Sequence, residues 1–337
     1  MGDVPSGNGD AKLTWFGARI TPNEHALAAR FGLFDNTYSS GEVSETGHVW
    51  ADAAFVNDFM ERVWSPAYGR RGSDDPIAGS SAAVPQNGYI FDAARRAHVS
   101  FRAYGEFAGN PDVSGSHIGA PRGTYDPLYR GWDLKYSDVD RVREWRREFN
   151  SFTRSGRLPQ LEYIWLPNDH TAGSRAGMLT PVAYAAQNDY ATGLIVEAIS
   201  HSPVWRSSVI LIIEDDAQDG PDHVSDQRTT FFLASPFARG GVQHAHYSTV
   251  SVLRTMELIL GIKPLSVYDG MAVLLDTAFT SASNLRPFDA IPPKVSLSAR
   301  NGKTAYGAEI SAHMDLSRPD VNSGRTLQRI LSHNLER

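Results

Sequence analysis

The chain has 337 residues, and its 32 Lys and Arg against 38 Asp and Glu give a formal charge of −6, with no basic stripe of the kind nucleic acid binding needs. Apolar residues make up 41%, too many for a disordered chain, and no apolar run approaches the roughly 18 residues that span a bilayer. Cysteine is absent, which excludes disulfide scaffolds, thiolate metal sites and thiol nucleophiles, so a metal would have to be held by oxygen and imidazole.

The N-terminus, MGDVPSGNGDAKL, has neither the basic region nor the apolar core of a signal peptide. Thr21 followed by Pro22 marks a helix start, and EHALAARF continues it. FGLFDNTY (31–38) reads as a strand, and 49–64 as a helix from the spacing of Ala53, Val56, Phe59, Met60 and Val63. Segments 66–88 and 105–130 are rich in Gly and Pro and read as long loops. GYIFDAARRA is predicted helical, VSFRAY (99–104) a strand and 138–152 a charged amphipathic helix. Further strands are predicted at LEYIWL (161–166), VILII (209–213) and TTFFLAS (229–235), with helices at 188–202 and 248–260. The alternation predicts an α/β fold, a sandwich with a mainly parallel sheet. VILII lacks polar alternation, as in a strand covered on both faces. No stretch reads as a linker, so 1–337 is expected to be one domain.

The strongest chemical signal is VILIIEDDAQDGPDHV (209–224), where a buried strand runs into Glu214, Asp215 and Asp216, with Asp219, Asp222 and His223 close behind. Crowded carboxylates at a strand end repel one another and resist ionising, and a divalent cation relieves that cost. Parallel sheets also place ligands outside the carboxyl ends of their strands. A solvated acidic loop is the plainer alternative. LEYIWLPNDHTAG (161–173) has the same layout, ending in Asn168, Asp169 and His170. In SSGEVSETGHVW (39–50), Ser44, Thr46 and His48 sit near a helix N-terminus, where N–H groups favour an anion and a hydroxyl could meet a phosphate, although Ser44 or Thr46 could equally cap the helix. His244 and His246 in HAHYST are expected to be solvated. Gly302-Lys303-Thr304 is not a phosphate loop, because Leu297 stands where that loop needs Gly, and no G-x-S-x-G elbow occurs.

EDDAQDGPDHV, RTTFFLASPFARGGV and YSTVSVLRTMELILGI resemble the bacterial phosphoesterase family, which includes phospholipase C and acid phosphatase types and belongs to the alkaline phosphatase superfamily. LPNDHTAG, TPNEHALA, GEVSETGHVWADAA and NGYIFDAA resemble one subgroup, whose members are often joined to a β-propeller. The resemblance spans residues 10 to 330. It implies a three-layer α/β sandwich of the alkaline phosphatase type and metal-dependent hydrolysis of a phosphate-ester substrate by a Ser or Thr hydroxyl. Asp215, Asp216, His223 and His170 match metal-binding positions, for Zn, Mn or Ca. Ser44 is the best-placed nucleophile with Thr46 behind it, and Asp169, Arg228 and His48 are expected to face the substrate. The family opens with a strand ending in Glu-Asn, then Ser or Thr, an aromatic and Asp. This chain starts after that point, so the resemblance implies an N-terminally shortened domain. An inactive binding protein of the same fold is the alternative. The resemblance also favours an exported protein.

Overall fold

The computed structural model describes residues 1–68, 81–107, 123–217, 221–317, 322 and 324–335. In chain order its helices are α1 (Pro22–Phe31), α2 (Ser44–Ala53), α3 (Asp58–Tyr68), α4 (Ile90–Arg96), α5 (Asp138–Ser155), α6 (Pro181–Ser200), α7 (Thr249–Leu260), α8 (Val267–Gly270), α9 (Ala308–Ala312) and α10 (Gly324–Leu335). Its strands are β1 (Leu33–Phe34), β2 (Thr37–Tyr38), β3 (Phe101–Tyr104), β4 (Leu161–Ile164), β5 (Ile210–Ile213), β6 (Phe231–Ala234), β7 (Val242–Gln243) and β8 (Tyr247–Ser248). The long-loop segments 66–88 and 105–130 and the position of Asp219 lie partly or wholly outside the described residues.

The strands pair as four short ladders among the described residues. β1 with β7, β2 with β8 and β3 with β4 are parallel. β5 and β6 are antiparallel, a departure from the parallel expectation. The reason is the connection: the described part of 214–230 contains no helix, and a parallel pair needs a long crossover, usually helical. β3 is covered on both faces, since Ala103 joins a cluster with Val49, Phe91 and Leu253, whereas the next residue, Tyr104, packs with Trp145, Phe149 and Ile195. β5 is only half-buried along its whole length, less than its unbroken apolar sequence suggests.

The predicted helix over 49–64 is two helices. Ala54 turns left-handed at the end of α2, and the Asn57 side chain accepts from the Met60 N–H to start the next helix. α6 begins earlier than predicted, at Pro181, where the Thr180 hydroxyl accepts from the Ala183 N–H. The cap of α1 is also not local. Thr21 donates to the Phe16 carbonyl, and the Asp189 carboxylate of α6 accepts from the backbone N–H groups of Asn23 and Glu24 instead. That contact ties α1 to α6 where both approach the site.

Candidate active site

The N-terminal half of α2 lies against the end of β5. The approach is close enough that a Cβ on Gly47 would stand 2.2 Å from the Asp215 carbonyl oxygen, so only glycine is tolerated there. Ser44, His48 and Asp52 recur every four residues and share one face of α2. The Ser44 hydroxyl donates to Asp216 Oδ2 at 2.9 Å, and both residues are buried. His48 places Nε2 3.5 Å from Asp215 Oδ2 and Nδ1 2.7 Å from Glu106 Oε1. Burial would lower the His48 pKa, but Glu106 and Asp215 outweigh it and push it up to about 10. Thr46 turns its hydroxyl back to the Val43 carbonyl at 2.9 Å, within the first turn of its own helix.

The ends of β4 and β5 bring their acids together. Burial and then the charges of Asp215, Glu24 and Asp216 raise Glu214 to about 8, although a hydrogen bond with Asp169 partly offsets them. Asp169 is raised by burial and by the charges of Glu214 and Asp215. Their mutual hydrogen bond requires a proton on at least one of the two carboxyl groups. Asp215 Oδ2 is buried without a hydrogen-bond donor. The segment carrying Asp169 is fixed from behind. Buried Arg141 donates to Asp138 Oδ1 at 2.9 Å and to Asn168 Oδ1 at 3.1 Å. Asp138 Oδ2 accepts from the Asn168 N–H, and Asn188 donates to the Leu166 carbonyl. Thr171 follows at φ 63°, a backbone conformation that side chains other than glycine rarely adopt, and strain of this kind clusters at functional sites.

Two cavities meet at Asp216. One, of about 270 Å³, is lined by His170, Glu42, Gln227, Met314 and Leu316 as well as Asp216. The other, of about 350 Å³, is lined by Asp169, Glu214, Asp216, His223 and Arg228 among others. His170 is buried with its ring edge-on to Trp132 at 4.8 Å. His223 is exposed. Arg228 is engaged by Asp222 at 2.7 Å and donates to the Asn8 carbonyl at 2.9 Å. His244 pairs with Asp35 at 2.9 Å and His246 stacks on Tyr38.

The donors suit a hard divalent cation in kind: oxygen and imidazole, with one buried carboxylate oxygen that accepts no hydrogen bond and has only His48, 3.5 Å away, as a charged neighbour. They do not enclose one. Among the described residues no three His, Asp or Glu side chains are placed to hold an ion, so Asp215, Asp216, His170 and His223 do not form a four-ligand cage as arranged. Two acids that the sequence reading passed over belong to the site, Asp52 and Glu106. Asp52 repeats the spacing of Ser44 and His48, and Glu106 follows β3 just as Asp169 follows β4.

Comparison with known proteins follows the same line. A model of the phosphoesterase family matches residues 5–263. A Vibrio parahaemolyticus protein in the alkaline phosphatase superfamily superposes with a TM-score of 0.54 at 14% identity, covering 77% of this chain and 66% of its own. A Bacteroides thetaiotaomicron protein labelled 6S-sulf, from a locus for glycosaminoglycan metabolism, gives 0.50 at 12% identity, covering 80% of this chain and 81% of its own. A search of curated proteins returns no match. The chain thus spans just under two thirds of the Vibrio protein. The match over residues 5–263 places this chain in the phosphoesterase family, with a fold of the alkaline phosphatase superfamily.

Proposed function

We propose that the chain hydrolyses phosphate esters with Ser44 as the nucleophile. The observation that carries this reading is the 2.9 Å hydrogen bond from the Ser44 hydroxyl to Asp216 at the start of α2. Asp216 orients the hydroxyl and takes its proton as the Ser44 oxygen attacks phosphorus. The ester P–O bond breaks, and the leaving alkoxide takes that proton back from Asp216. A water that gives its proton to Asp216 then attacks phosphorus, releasing phosphate (a phosphate monoester from a diester) while Asp216 returns the proton to the Ser44 oxygen. The free N–H groups and dipole at the start of α2 would favour the phosphoryl oxygens. His170 and Asp169 border the cavities on either side of Asp216, and His223 and Arg228 line the larger one.

Asp215 and Asp216 are the residues that would hold a divalent cation, Zn, Mn or Ca. When bound it would lower the pKa of a hydroxyl and neutralise phosphoryl charge. The crowding of Glu214, Asp215 and Asp169 supports that reading, because a cation would relieve it. Turnover of p-nitrophenyl phosphate and bis-p-nitrophenyl phosphate, with each metal supplied in turn, tests the proposal. Ser44→Ala is expected to lower turnover by about 10³-fold or more while leaving metal binding intact. Undiminished turnover in that variant would move the nucleophile to Thr46 or to water. A folded wild type that hydrolyses neither ester would leave only a binding role.

A further inference from the structure

Behind Asp215 lies a chain of buried polar groups that the attack by Ser44 does not use. His48 Nδ1 meets Glu106 Oε1 at 2.7 Å. Glu106 shares a hydrogen bond with Asp52, one helical turn beyond His48 on α2. The Tyr163 hydroxyl on β4 faces Asp52 and favours its charged form, while Asp52 Oδ2 itself accepts no hydrogen bond. Asp52 and Glu106 are 1% and 6% exposed. Trp165 stands edge-on to the His48 ring at 5.1 Å and Phe107 at 6.4 Å, closing its flanks. Two acids without a cation between them are costly to bury unless they share a proton or hold a fixed donor. Here the imidazole is that donor, and its other nitrogen lies 3.5 Å from Asp215 Oδ2, an ion-pair distance rather than a hydrogen bond.

We infer that Glu106 and Asp52 are positioning residues: they fix the His48 ring so that its charge stays within ion-pair distance of the Asp215 carboxylate, next to the Ser44–Asp216 pair. The arrangement joins Glu106 after β3, Tyr163 on β4 and Asp215 and Asp216 after β5 to a single face of α2. Ser44 meets Asp216, whereas His48 and Asp52 both meet Glu106, and His48 also reaches Asp215. A carboxylate released from His48 would be free to turn away, and misplacement of about 1 Å in such a site costs up to about a hundredfold in rate.

The inference rests on the hydrolase reading for its rate consequence but not for its geometry, and the test separates the two. In the full chain, proton NMR is expected to show a far-downfield, slowly exchanging imidazole proton from the His48–Glu106 contact. It should vanish in His48→Gln and in Glu106→Gln. With bis-p-nitrophenyl phosphate, Glu106→Gln and Asp52→Asn should lower kcat about ten- to hundredfold with KM within about twofold. Glu106→Asp should recover part of the loss. Persistence of the proton signal in Glu106→Gln would overturn the inference, as would unchanged kcat in both variants. If the wild type turns over no ester, the hydrolase reading fails, and the proton signal alone decides whether His48 is held as described.

Discussion

Replacing Glu214 by Gln should make the protein more stable at alkaline pH. Glu214 is raised from an ordinary 4.5 to about 8, first by burial and then by the charges of Asp215, Glu24 and Asp216. A carboxyl group whose pKa is higher in the fold keeps its proton there after the unfolded chain has lost it. Stability therefore falls as pH rises from about 4.5 to about 8 and then levels off. At about 1.4 kcal/mol per pH unit the full loss approaches about 5 kcal/mol. Asp169 is coupled to Glu214 through their hydrogen bond and water reaches part of the group, so about 2–3 kcal/mol is the expected net effect. Glu214→Gln keeps the shape and removes the charge. Urea denaturation with chelator present should give equal stabilities for wild type and variant near pH 4.5. At pH 8.5 the variant should be more stable by about 2–3 kcal/mol. Added Mn should then stabilise the wild type and narrow the gap. Parallel stability profiles from pH 4.5 to 8.5 would refute the claim that these acids are crowded.

Three further outcomes follow from the same geometry. Gly47→Ala puts a Cβ 2.2 Å from the Asp215 carbonyl oxygen. It should cost about 1–3 kcal/mol in urea denaturation and push α2 off the site, with turnover lost in step. Arg141→Leu strands the buried Asp138 carboxylate, whose pKa burial already raises to about 6 despite Arg141, and should cost about 3–5 kcal/mol by the same measurement. Calorimetry with Mn should show loss of binding in the Asp215→Ala, Asp216→Ala double variant, and equal affinity in the two proteins would remove the cation from the account.

The strand-end acids were legible in the sequence because an apolar run that stops at consecutive carboxylates has few structural explanations. VILII and LEYIWL therefore pointed to Glu214, Asp215 and Asp169 before any coordinates. The partners of those acids were not legible. Ser44 and Asp216 are 172 residues apart and meet only through the fold. A helix start looks the same whether it serves a substrate or caps itself, and α2 carries both: Ser44 faces Asp216, while Thr46 bonds to Val43. The capping of α1 by Asp189 was hidden because a side chain from another helix replaced the local Thr21. The antiparallel return from β5 to β6 was hidden because strand periodicity carries no direction. Asp52 and Glu106 stayed unread since each looked like an ordinary surface acid, one on a helix and one in a Gly-rich loop.

The central assignment, Ser44 as the attacking group, is tested most directly by trapping. The wild-type protein would be quenched in acid during turnover of bis-p-nitrophenyl phosphate and its peptides mapped by mass spectrometry. The account predicts a phosphoryl ester on Ser44 that is absent from Ser44→Ala. Turnover with the ester on Thr46, or with no protein ester under conditions that preserve one, would contradict it.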